Sequence, residues 1–217
     1  MPSPHAAGPV PKGRGRRKVL LALAGLALAG VFALAAVPRL LPAPPLLDGV
    51  PFSRTVTDRN GVLLRVTSAA DGQIRLRTPL EDVSPSVVRS LLRYEDRYFY
   101  EHPGVNVPAL LRAWSPLTGS RALGASPVTM QTARMGLGLH TRTIAGKLGQ
   151  IFWALRYEAH YEKAEILEAS LNLLPWGGNV AGIGAASLVH FGKPARQLTA
   201  SESASLAVVP QNPVARR

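Results

Sequence analysis

The sequence predicts a mainly α-helical domain with a small β unit at its entrance, preceded by one transmembrane helix. Three observations predict it: a 19-residue uncharged run near the N-terminus, two hairpin signals between 52 and 77, and helix-type patterning from Ser84 onward. Charge is unevenly spread. Residues 1–47 hold six of the 25 Lys and Arg and none of the 13 Asp and Glu. Residues 48–217 therefore carry 19 basic against 13 acidic groups, a net of +6. That stretch suits one compact domain with a real core and leaves little room for a second. Hydrophobic content of 47% and charged content of 18% exclude a largely disordered chain. With no cysteine there is no disulfide, thiolate nucleophile, Cys-ligated zinc or lipoprotein-type anchor.

Lys12, Arg14, Arg16, Arg17 and Lys18 precede the uncharged run from Val19 to Val37. A helix of that length is ~28 Å long at ~1.5 Å per residue, close to the hydrocarbon thickness of a bilayer. Basic residues before the run and Pro38 after it orient the span with residues 1–18 in the cytoplasm. A cleavable signal peptide is the rival, since Ala33-Leu34-Ala35 resembles a cleavage site; the length of the run favours an uncleaved anchor at 19–37. Arg16-Arg17 inside a basic cluster is weak evidence for a twin-arginine signal. The tail accounts for much of the net charge of +12 without nucleic acid, and the rest of the chain is placed outside the cytoplasmic membrane.

Residues 38–51 contain five prolines and read as a short stiff spacer. The domain then covers 52–217. Extended segments at 52–57, 62–67 and 74–77 are separated by turns at Asp58-Arg59-Asn60-Gly61 and Asp71-Gly72, which predicts one small antiparallel unit. Ser84-Pro85 caps and opens the first domain helix. Apolar positions 148, 151, 152, 155, 159, 166 and 167 predict one amphipathic helix, or two in series, between Lys147 and about Leu171. Thr199 and Glu202 form a capping box for a last helix through Val209, stopped by Pro210.

Two carboxylates fall where apolar side chains are expected. Glu95 continues the Val87–Leu91 row of the first domain helix, and Asp96 continues the Val88–Leu92 row. Burial raises a carboxylate's pKa and neighbours such as Arg93 and Arg97 lower it, so a carboxylate held between them can accept a proton near neutral pH. A helix-terminal Glu paired with a local arginine fits the same pattern.

The string from Glu95 through Asp96, Arg97, Phe99, His102 and Gly104 to Asn106 resembles the first signature of the peptidoglycan glycosyltransferases (E-D-R-x-F-x-x-H-x-G-x-D), the lysozyme-like domain of class A penicillin-binding proteins. Asn106 replaces the final Asp. Gly124 to Gln131 resembles the second signature, G-G-S-T-[IL]-T-x-Q, with Ala125 and Pro127 departing from it; Thr129 to Arg134 is similar to the 1C type. Further matches are Glu165-Ile166-Leu167 with Leu171-Asn172, Pro175-Trp176-Gly177-Gly178, Gly182-Ile183, Phe191-Gly192-Lys193 and Pro210-Gln211.

The resemblance implies polymerisation of lipid II by an inverting transfer. The 4-hydroxyl of an incoming GlcNAc attacks the anomeric carbon of the growing chain, and undecaprenyl pyrophosphate leaves. It implies Glu95 as general base, Arg134, Arg142 and Lys147 as cations near the donor pyrophosphate, and Ser126, Thr129 and Gln131 as a substrate-contacting loop. Asp96, Arg97, Phe99, His102 and Gly104 would support the motif. Arg121, Arg156 and Arg196 read as a solvated basic face. Gln150 stands where the third signature, R-K-x-x-E, has a second glutamate, and it cannot carry that charge. A divalent cation, Mg or Mn, is left open. Implied partners are lipid II, the growing glycan chain, membrane lipid and other cell-wall synthesis proteins, with no nucleic acid. The transpeptidase strings S-x-x-K and K-T-G do not occur, so a stand-alone or truncated glycosyltransferase domain is expected. A scaffold that binds lipid II without turnover, and a lysozyme-like glycan hydrolase, are the rival readings.

Overall fold

Turn chemistry sets the entrance to the domain in the computed structural model, which describes residues 14–106, 126–140 and 143–209. Asp58 Oδ1 accepts from the Asn60 and Val62 amides, both at 2.8 Å, and Gly61 takes φ +82°, a left-handed value that costs glycine nothing. The turn joins β1 (Thr55–Thr57) to β2 (Leu63–Val66) as an antiparallel hairpin with Thr55 opposite Val66. The second turn also forms, with the Gly72 amide donating to the Ala69 carbonyl at 2.9 Å.

The strand after that turn does not complete the expected antiparallel unit. β3 (Ile74–Arg75) pairs in parallel with β4 (Val180–Ala181), a strand the sequence did not suggest. Burial decides this: β1 is exposed, whereas Arg75, Val180 and Ala181 are buried, and the Ile74 amide donates to the Asn179 carbonyl at 2.7 Å. The fold remains mainly helical with small two-stranded sheets, which fits the expected lysozyme-like class.

Five helices build the domain among the described residues: α2 (Pro85–Glu95), α3 (Val128–Gly136), α4 (Ile144–His160), α5 (Lys163–Leu173) and α6 (Ile183–Phe191), with a short α7 (Ala200–Ala207) closing it. The pair α4 and α5 realises the two helices in series. The Ser84 cap and the Thr199–Glu202 capping box form as predicted. α2 packs on α7, and α3 lies across α4 and α5. One core gathers Val87, Leu91, Phe99, Tyr157, Ile166, Leu171, Trp176 and Ile183.

The N-terminal helix α1 (Arg14–Leu40) carries Pro38 inside its last turn, where the sequence reading placed its stop. Proline removes one helical donor without forbidding the remaining turn. Among the described residues no helix is long and apolar enough to cross a membrane; within 19–37 the side chains at 20, 27, 28, 31, 34 and 35 lie outside that description. The proline segment after α1 is docked rather than free-standing. Pro42, Pro44 and Pro45 carbonyls accept from Arg156, Tyr161 (2.5 Å) and Tyr157 (3.0 Å), and His160 meets the Pro38 carbonyl at 3.0 Å. Buried within this contact, the Tyr157 hydroxyl is pushed up to about 12, first by desolvation and then by Tyr161. Arg156 also lies 4.5 Å from the Trp153 ring centroid. It therefore belongs to this clasp, which corrects its reading as part of a solvated face.

Candidate active site

α2 ends where its apolar rows end. Val87, Leu91 and Leu92 are buried, and Glu95 is the last helical residue, half-buried at the rim. Gln131 on α3 reaches it: its Nε2 donates to Glu95 Oε2 at 2.9 Å and to the Ser126 carbonyl at 2.9 Å. One amide thus ties the carboxylate to the loop before α3. Asp96 leaves the helix as its C-cap and does not extend the second row. Its buried carboxylate accepts from His102 Nε2 at 2.9 and 3.1 Å and from the Val128 amide at 2.9 Å. Val128 opens α3 behind Pro127, which offers no capping side chain, so Asp96 supplies the cap from another part of the chain. Asp96 thus joins His102 to the start of α3.

Lys147, in the first turn of α4, donates through Nζ to Ser126 Oγ at 2.6 Å. Burial, and secondarily the Arg134 guanidinium nearby, hold its pKa below the usual lysine value. Arg134 projects from the exposed side of α3. The structure therefore brings Glu95, Gln131, Ser126, Lys147 and Arg134 into one neighbourhood: a carboxylate held by an amide donor, and two cations sharing one end. Arg142, Gly124 and Ala125 lie outside the described residues.

Other candidates fall elsewhere. Thr129 is fully buried and donates to Glu158 Oε1 at 2.5 Å, inside the α3–α4 packing and away from the loop contact expected of it. Gln150 is 1% exposed, and its Nε2 donates to the Met130 carbonyl at 2.7 Å. It joins α3 to α4 and is closed to a ligand. Phe99 sits fully in the core. Gly104 adopts φ +78°, and a Cβ there would stand 2.7 Å from Glu158 Cγ. Arg97 is exposed over the Tyr98 ring at 5.6 Å. Arg196 is 65% exposed and 4.0 Å from Asp82, as a solvated arginine should be.

Sequence reasoning missed Glu158 and Lys163, which pair at 2.7 Å beneath the site. The available signal was a carboxylate one helical step after the apolar positions Ala154 and Leu155. Among the described residues no group of three or more His, Cys, Asp or Glu is placed to hold a metal ion.

Comparison with known proteins gives the family. The family model described as Transglycosylase matches residues 60–217. Penicillin-binding protein 1C of Escherichia coli (strain K12) is 45% identical over 177 residues, covering 81% of this chain and 23% of that protein. The Biosynthetic peptidoglycan transglycosylase of Rhodospirillum centenum is 37% identical over 198 residues, covering 91% of this chain and 80% of that protein. Penicillin-binding protein 2D of Bacillus subtilis is 38% identical over 146 residues, with 65% and 21% covered. The chain thus spans under a quarter of those two penicillin-binding proteins but most of the transglycosylase. With a family match over most of its length and a relative 37% identical across 91% of it, the chain belongs to the transglycosylase family and carries a peptidoglycan glycosyltransferase domain.

Proposed function

We propose that this domain polymerises lipid II into β-1,4 glycan strands, with Glu95 as general base and undecaprenyl pyrophosphate as leaving group. The observation that carries the reading is the Gln131 bridge, which places a held carboxylate beside the Ser126–Lys147 contact. As the acceptor's 4-hydroxyl oxygen bonds to the donor's anomeric carbon, its proton passes to Glu95 and the bond to pyrophosphate breaks with inversion. Lys147 and Arg134, and Arg142 as the family resemblance implies, take up the charge that develops on the departing pyrophosphate. Ser126 and Gln131 keep the lysine and the carboxylate in register.

The proposal includes membrane attachment: residues 19–37 as an uncleaved anchor, with the domain on the outer face of the cytoplasmic membrane. The rival reading, a scaffold that binds lipid II without turnover, draws on Gln150, Ala125 and Pro127, and it predicts binding with no polymer growth. Incubation with lipid II and, separately, with purified sacculi tests the function. Polymer growth that falls by about 10²–10⁴ in Glu95→Gln, with the circular dichroism unchanged, supports the assignment. Activity within a few-fold of wild type in that variant refutes the base, and loss of sacculus strands would point to a hydrolase.

A further inference from the structure

Glu95 is bonded by α3 and runs straight into the loop after Asp96, and both lead to the same pair of side chains. On one side is α3, whose Gln131 donates to Glu95. The first turn of that helix is fixed where the Thr129 hydroxyl donates to Glu158 Oε1 at 2.5 Å. On the other side is the loop after Asp96. Lys163 Nζ donates to the His102 carbonyl at 2.7 Å and stands 4.5 Å from the Phe99 ring centroid. The same loop closes over Glu158 at Gly104, where any side chain would meet its Cγ. Lys163 Nζ also donates to Glu158 Oε1 at 2.7 Å, so one carboxylate oxygen and one ammonium anchor helix and loop together. The Glu158 side chain is 10% exposed and that of Lys163 22%, too enclosed for a substrate contact and well placed for a seat.

We propose that the Glu158–Lys163 pair is a positioning device for Glu95, fixing α3 and the 96–104 loop against each other so that Gln131 stays on the carboxylate. This rests on the reading of Glu95 as the base. Misplacing a reacting group by about 1 Å costs on the order of 10²-fold, so loosening the seat should slow turnover by about 10- to 100-fold with the KM for lipid II little changed.

The test separates positioning from direct charge effects by sign. The Gln131 donor favours the charged form of Glu95, so losing it raises that carboxyl's titration midpoint. If the pair acts by position, Thr129→Val, Glu158→Gln and Lys163→Met all raise the midpoint. If it acts through space, removing the Glu158 charge lowers the midpoint, removing the Lys163 charge raises it, and Thr129→Val leaves it alone. The readout is a ¹³C carboxyl NMR titration of the full chain in detergent micelles, with the Glu95 signal assigned by its loss in Glu95→Gln. A common upward shift accompanied by slower single-turnover polymerisation supports the proposal. Opposite signs in the two charge variants, or an unmoved midpoint in Thr129→Val, overturns it. Should Glu158→Gln fail to fold, Thr129→Val decides the question, because Lys163→Met raises the midpoint on either account. Full activity of Glu95→Gln would remove the base reading, whereas the titration would still report whether the pair places that carboxylate.

Discussion

Replacing Gln150 by glutamate restores the acid of the R-K-x-x-E signature, but at a position 1% exposed with its donor 2.7 Å from the Met130 carbonyl. A protonated acid can donate to that carbonyl in place of the amide. An ionised one cannot, and it opposes two oxygens in a buried interface. Burial raises such a carboxyl by up to ~3–5 units, and Lys147 one turn earlier on α4 offsets part of this, leaving a rise of about 2 units above ~4.3. At 1.36 kcal/mol per unit, that is about 3 kcal/mol. The sign follows from proton binding: the folded state holds the proton more tightly than the unfolded state. The cost is therefore absent below the unfolded value near ~4.3, grows as pH rises toward the raised folded value, and is constant above it. Urea unfolding of the full chain in micelles, followed by tryptophan fluorescence at about pH 4 and pH 7.5, measures it. Gln150→Met is the control, since it loses the hydrogen bond but has no proton to bind and should cost the same at both values. A cost for Gln150→Glu that differs by less than about 0.5 kcal/mol between the two pH values would refute the reasoning and open the position to solvent.

Arg134→Ala and Lys147→Ala should each slow single-turnover polymerisation by roughly 10²–10³ while weakening lipid II binding less, with Arg196→Ala as the control; equal losses in rate and binding for all three would mean a diffuse basic surface. Gly104→Ala should cost about 1–3 kcal/mol in thermal unfolding, because φ +78° and the contact with Glu158 both oppose a Cβ. A loss within experimental error would place the loop differently. Mass spectrometry of the membrane fraction should find residues 1–37 retained; a mature N-terminus near Ala36 would identify a cleaved signal instead.

Local chemistry was legible in the sequence wherever it acts within a few residues. Asn60-Gly61 needs only its own dihedrals and the Asp58 side chain to make a turn, and Ser84, Thr199 and Glu202 cap helices through bonds spanning two or three residues. The apolar rows placed Glu95 at the rim of α2 for the same reason, since helical period is a property of the local chain. The signatures added the family and the functional roles to be tested. What the tertiary structure decided involves partners far apart along the chain. β3 was drawn as part of a hairpin, and it pairs with β4 because that is where a buried strand can satisfy its amides. Asp96 caps a helix 32 residues away. Thr129 and Gln150 turn into the α3–α4 packing, and Glu158 with Lys163 forms a seat whose partners the helical spacing of Glu158 alone does not name. A buried polar atom must find a partner, and which partner it finds depends on how helices cross rather than on its neighbours in sequence.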